Sequence, residues 1–128
     1  MYFSTRGRYW LNSEGKTHRD DGPAFEYFDW DRYWYINNKL HREDGPAVGN
    51  SSGIIQWFKD GKLHREDGPA VENLGTRAWY KNGLRHREDG PAIVWHDGSH
   101  EYYLNGTFYT KKTYLKEIER RERNDFKS

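Results

Sequence analysis

Along the chain, short runs of aromatic and β-branched residues alternate with compact turn signals. Trp34-Tyr35-Ile36 is followed by Asn37-Asn38, Trp57-Phe58 by Asp60-Gly61, Trp79-Tyr80 by Asn82-Gly83, and Tyr102-Tyr103-Leu104 by Asn105-Gly106. Asn-Gly and Asp-Gly favour type I′ hairpin turns, because both central residues need positive φ. A second series of turns lies between these, at Asp29-Trp30-Asp31, Asn50-Ser51-Ser52-Gly53, Asn73-Leu74-Gly75 and Asp97-Gly98. Runs bounded in this way read as strands. The pattern predicts a mostly β fold, an elongated antiparallel meander of stacked β-hairpins. Strands of ~5 residues would give about eight to ten of them.

The hairpins repeat. A string of the form His-Arg-acid-Asp-Gly-Pro-Ala occurs four times, with histidines His18, His41, His64 and His86 at intervals of 23, 23 and 22 residues. A fixed period of this size marks a repeat architecture. Trp34, Trp57 and Trp79 each stand seven residues before a histidine; Trp10 stands eight before His18, so the first turn holds one extra residue. A further copy begins at Tyr102 but lacks the string, which makes about four and a half units.

The string has a structural reading. All four prolines of the chain, Pro23, Pro46, Pro69 and Pro91, sit in it. Proline has no N–H to give to a central strand, so each marks a break in the sheet. Gly22, Gly45, Gly68 and Gly90 supply the backbone freedom a bend needs. The following alanine lets rungs stack closely, and the preceding aspartate is expected to bond the local backbone. The tryptophans share one register and so one face. Alternation puts Tyr35, Phe58, Tyr80 and Tyr103 on the other. Most of these rings are expected in the core, since aromatic side chains dominate buried area.

After residue 109 the pattern changes. Thr110 is placed to cap a helix over residues 111–124. Tyr114, Leu115 and Ile118 make a short apolar stripe, with Phe126 beyond, and charges of both signs cover the rest. Open sheet edges need cover, so this helix is expected to cap the last hairpin. The chain thus divides into an N-terminal cap strand (1–8), a repeat array (9–109) and an amphipathic helix (110–128).

Composition narrows the function. Only 34% of residues are hydrophobic, yet 17% are aromatic, and charges of both signs nearly cancel at +1. Nucleic-acid modules usually show a clear basic excess. There is no cysteine, so disulfides and thiolate metal sites are excluded. No apolar stretch reads as a signal peptide or membrane span. The expected setting is the cytoplasm, with no membrane partner and no cofactor.

Histidine beside carboxylates is the material of general-base catalysis. Four near-identical copies argue against it, because an active site needs one unlike constellation. The chain is therefore read as non-enzymatic. His96 and His100 flank a turn but lack a third ligand for a zinc site. Aromatic-basic runs such as Arg32-Tyr33-Trp34-Tyr35 and Arg77-Ala78-Trp79-Tyr80-Lys81 support single-stranded nucleic-acid binding as the second reading, because rings can stack bases. The acids of the strings oppose it.

The period, the aromatic-x-x-Asn/Asp-Gly-Lys turn and the histidine shortly after it resemble MORN (membrane occupation and recognition nexus) repeats over residues 9–108. That resemblance implies a stacked-hairpin scaffold. The usual His-Gly-x-Gly is replaced here by strings such as His64-Arg65-Glu66-Asp67-Gly68-Pro69-Ala70. This variant is similar to repeats in uncharacterised proteins of bacteriophages and large DNA viruses. The resemblance implies a viral accessory protein, in the host cytoplasm, that binds a host or viral protein. An inhibitor of an antiviral defence effector such as a CRISPR–Cas nuclease is the specific expectation. Trp34, Trp57, Trp79, Tyr35, Tyr80 and Tyr103 are the candidate aromatic contacts, being of hot-spot type. Glu43, Asp44, Glu66, Asp67, Glu88 and Asp89 either mimic phosphates or simply pair with Arg42, Arg65 and Arg87. A structural scaffold or a homo-oligomer is a further alternative.

Overall fold

The computed structural model describes residues 1–127. Ser128, the end of the expected helix region, lies outside them. In chain order the first strands are β1 (Tyr2–Phe3), β2 (Gly7–Tyr9), β3 (Phe25–Tyr27), β4 (Arg32–Tyr33), β5 (Tyr35–Ile36) and β6 (Lys39–Leu40). The middle of the chain holds β7 (Val48–Gly49), β8 (Ile54–Gln56), β9 (Phe58–Lys59), β10 (Lys62–Leu63), β11 (Val71–Asn73) and β12 (Thr76–Ala78). There follow β13 (Tyr80–Lys81), β14 (Leu84–Arg85), β15 (Ile93–Val94), β16 (His100–Leu104), β17 (Thr107–Tyr109) and the helix α1 (Lys111–Lys127).

Eleven strands form one antiparallel sheet in the order β1-β2-β3-β4-β7-β8-β11-β12-β15-β16-β17, and β5–β6, β9–β10 and β13–β14 form three separate hairpins. The elongated antiparallel array is the expected one, but its strands are shorter and more numerous. The tryptophans explain the difference. Trp34 N–H donates to the Ala47 carbonyl at 2.7 Å, while its own carbonyl accepts from His41 N–H at 3.0 Å. One bond belongs to the long sheet and the other to the hairpin, so the strand divides where its partner changes. Trp57 and Trp79 repeat the arrangement. Tyr102 occupies the same register, but no His-Arg string follows it. It pairs with Tyr109 of β17, and β16 runs unbroken across that position.

The turns follow their chemistry. Asp60, Asn82 and Asn105 have φ of 50°, 51° and 47°, each followed by a glycine at positive φ, and Asn37-Asn38 does the same at 48° and 66°. The extra residue of the first unit sits in a wider turn closed by the Leu11–Thr17 bridge. Asn12 Oδ1 holds that turn, accepting the N–H of Glu14 at 2.9 Å and of Lys16 at 3.0 Å. Leu74 also takes positive φ, 48°, although it is 76% exposed. A left-handed conformation costs a leucine roughly 1–2 kcal/mol that asparagine largely avoids. Leu74→Asn is therefore expected to raise the stability by about 1 kcal/mol, read as a higher urea midpoint at unchanged slope.

The fully buried centre is made of alanine rather than rings. Ala24, Ala47, Ala70 and Ala92 have no exposed surface, and Val48, Ala78, Ile93 and Leu104 are buried beside them. The repeat tryptophans are half-buried, which corrects the expectation that most rings are core. Small side chains let neighbouring strands sit against the string that follows each hairpin, and the rings lie to the side. At the N-terminal end Tyr2, Tyr9, Phe25 and Tyr27 stack in succession at centroid separations of 5.4, 5.8 and 4.3 Å. Tyr2–Tyr9 and Tyr9–Phe25 are cross-strand pairs, and such pairs contribute roughly 0.2–1 kcal/mol each.

Thr110 caps α1 as expected, its Oγ1 accepting the Thr113 N–H at 3.2 Å. Tyr114 is buried, with its ring 4.8 Å from that of Tyr102, and Ile118 is half-buried. The Tyr114 hydroxyl donates to the Arg87 carbonyl at 2.8 Å and accepts the Gly90 N–H at 3.2 Å. Leu115, expected in the apolar stripe, is exposed, as is Phe126 beyond it. Tyr114 and Ile118, four residues apart, share the face that meets the sheet. Leu115 sits roughly 100° round the helix from Tyr114, and Phe126 lies further along the helix, 95% exposed. On the helix surface Glu117 lies between Arg120 and Arg121, whose hydrogen bonds pull its carboxyl down to about 2.

Candidate functional site

Each His-Arg-acid-Asp-Gly-Pro string folds into the same rung. The arginine turns inward, with Arg19 lying 3.9 Å from the Trp10 ring centroid, Arg42 3.8 Å from Trp34, Arg65 3.9 Å from Trp57 and Arg87 3.9 Å from Trp79. Nη1 of each arginine donates to the proline carbonyl four residues on, as from Arg65 to Pro69 at 3.2 Å. Nε donates to the aspartate two residues on, as from Arg65 to Asp67 at 3.0 Å. The aspartate before the glycine thus bonds chiefly this arginine, not the local backbone as expected. The arginine is held between ring and carbonyl with its Nε facing the aspartate, and Arg19 also reaches Glu26 Oε1 through Nη1 at 3.3 Å.

The histidines link one unit to the next. Nε2–H donates to the acid two residues on, at 2.9 Å for His18–Asp20, 2.8 Å for His41–Glu43, 2.8 Å for His64–Glu66 and 3.1 Å for His86–Glu88. Nδ1 accepts a backbone N–H from the following hairpin turn, given by Asn37, Asp60, Asn82 and Asn105 at 3.1, 2.9, 3.0 and 2.9 Å. Only a neutral imidazole protonated on Nε2 satisfies both partners. The repeated string alone does not show that each histidine accepts a bond from the next unit. The available signal was an Asn or Asp turn residue 18 or 19 positions after each one. Asparagine can place a carbonyl oxygen near the Nδ1 position, whereas glutamine reaches towards Nε2. His64→Gln and His64→Ala are each expected to lose about 1 kcal/mol, the worth of one such bond, while His64→Asn keeps most of it. Thermal midpoints of the three variants check this.

The rung therefore sorts its charges. The four arginine side chains are 22–26% exposed, and the carboxylates beside them, Asp20, Asp21, Glu43, Asp44, Glu66, Asp67, Glu88 and Asp89, are 63–88% exposed. A hydrogen bond from Arg42 holds the Asp44 carboxyl below its usual range, and one from His64, with the charge of Lys81, does the same for Glu66. Both stay ionised at neutral pH. Each unit adds two strands to the long sheet, so rungs recur about every 9.5 Å, twice the strand spacing.

Between rungs lie three grooves. The first, about 550 Å³, has Trp34 and Ile36 as its floor and Asp20, Asp21, Glu43 and Asp44 along its edges. The second, about 420 Å³, has Trp57 and Lys59 between the acids Glu43, Asp44, Glu66 and Asp67. The third, about 470 Å³, has Trp79 and Lys81 between Glu66, Asp67, Glu88 and Asp89. The candidate tryptophans and acids thus come together. The candidate tyrosines lie outside the groove linings. Tyr35 is half-buried, and burial raises its hydroxyl pKa. Tyr80 accepts a hydrogen bond from Arg85 Nε at 3.3 Å, and Tyr103 donates to Glu101 at 3.0 Å. Asp20, Asp21 and the Ile36/Lys59/Lys81 position were missed as site residues, although their places in the repeat mark them.

Among the described residues no group of three or more His, Cys, Asp or Glu is placed to hold a metal ion. No helix among them is long and apolar enough to cross a membrane. Comparison with family models, with curated proteins and with solved structures gave no significant match.

Proposed function

We propose that this chain is a non-catalytic, MORN-like repeat module that binds a protein partner through its carboxylate-edged ladder. The observation that supports this is the sorting of charge: the arginines lie on the tryptophans while the carboxylates face outward. The overall charge of +1 hides this face. A fixed row of carboxylates attracts a basic surface and repels a polyanion, and such complementarity governs encounter rate and choice of partner. Rungs joined through their histidines hold the row in place, which keeps the ordering cost of binding low.

The partner chemistry that fits is a basic surface of the kind that itself holds nucleic acid. On this reading the acids of the rungs stand where phosphates would. A viral accessory protein that blocks a host defence nuclease is the most specific form of the proposal. The test is capture of partners from nuclease-treated lysate by the wild type and by a variant carrying Glu43→Gln, Asp44→Asn, Glu66→Gln and Asp67→Asn. The proposal expects a stoichiometric basic protein with the wild type and its loss with the variant. Equal capture by both, or capture that vanishes on nuclease treatment, would overturn it, the latter in favour of nucleic-acid binding.

A further inference from the structure

The three grooves share one plan and differ at one decisive position. Lys59 and Lys81 line the second and third, while the first has Ile36 in the same place. In the third groove the chain supplies its own cation: Lys81 Nζ lies 3.5 Å from Glu66 Oε2 on the preceding rung. In the first groove Asp20 stands where Glu66 stands in the third. With neutral histidines, the first groove sets two arginines against four carboxylates, and the other two each add a lysine. The first is thus the most anionic of the three.

We infer that the first groove is a receptor for one lysine or arginine side chain of the protein partner, which takes the place that Lys81 takes in the third groove. The inference rests on the binding reading above. The alkyl stem lies along Ile36 and Trp34, and the charged head reaches the carboxylates at the rim, since long basic side chains bury their stems and keep their heads polar. Ile36 suits this stem better than a lysine does, because it adds apolar contact and no repulsion.

Ile36→Lys installs in the first groove the residue that the same position already carries in the other two, so the fold tolerates it. The probe is Nα-acetyl-lysine methylamide, titrated into ¹⁵N-labelled protein, with the arginine and norleucine analogues alongside. In the wild type the lysine and arginine probes should move the Trp34 indole signal ahead of those of Trp57 and Trp79, and the norleucine analogue should not. Ile36→Lys should weaken this response about tenfold, equivalent to one charge contact of ~1.4 kcal/mol. Lys81→Ile should create a matching response at Trp79. Equal shifts at the three tryptophans, an unchanged response in Ile36→Lys, or an equal response to norleucine would overturn the inference. Partner capture separates this from the broader reading. If Ile36→Lys captures the partner as well as the wild type while the four-fold acid variant does not, the receptor groove is wrong and the binding ladder stands.

Discussion

Gly7→Ala is expected to detach the N-terminal hairpin from the rest of the sheet. A Cβ at Gly7 would lie 2.1 Å from the Glu26 carbonyl oxygen and 2.8 Å from the Tyr27 Cα. Both belong to the backbone of β3, which pairs with β2 through Gly7 and Tyr27. No side-chain rotation relieves that contact, so β2 must move away, at a cost of about 3 kcal/mol on the scale of overpacked sites. Tyr9 then leaves its stack on Phe25. Hydrogen exchange should show residues 2–9 losing protection while the later units keep theirs, because repeat arrays couple mainly to nearest neighbours. Gly45→Ala makes a useful contrast. Its Cβ would meet the Arg42 guanidinium at 2.7 Å, a side-chain end that can shift, so a milder loss is expected.

The second large effect lies at the other end. Tyr114→Ala is expected to cost about 3–5 kcal/mol, the range for removing a buried aromatic side chain, and to release α1 from the sheet. Tyr114 is the helix residue that is both buried and bonded to the last rung, through the Arg87 carbonyl and the Gly90 N–H. Tyr114→Phe keeps the ring against Tyr102 and loses the two hydrogen bonds. It should cost about 1–3 kcal/mol, because a part-buried donor and acceptor are left without the hydroxyl. Urea unfolding followed by far-ultraviolet circular dichroism ranks the variants, and a phenylalanine variant as weak as alanine would show that the hydroxyl alone anchors the helix.

What the sequence showed and what it hid divide along the range of the interactions. Turn hand, the extra residue before His18 and the Thr110 cap were legible because each depends on a few adjacent residues. The division of the strands at Trp34, Trp57 and Trp79 was not, since it depends on which strand bonds each side of the tryptophan. The histidine link was hidden for the same reason, its acceptor and donor lying in different units. Repetition located the acids and arginines but not their directions. A balanced composition gives no sign that Arg65 lies on Trp57 while Glu66 and Asp67 face solvent. Leu115 was misread because a residue next to Tyr114 in sequence lies off Tyr114's face of the helix.

The ladder as binding face is tested most directly by amide hydrogen exchange on the free chain and on its complex with the captured partner. The account predicts new protection in the rungs at residues 41–45, 64–68 and 86–90, with the turns at 29–31, 51–53 and 73–75 exchanging as in the free chain. Protection confined to those turns, with the rungs unchanged, would contradict it and would move the binding face to the opposite margin of the sheet.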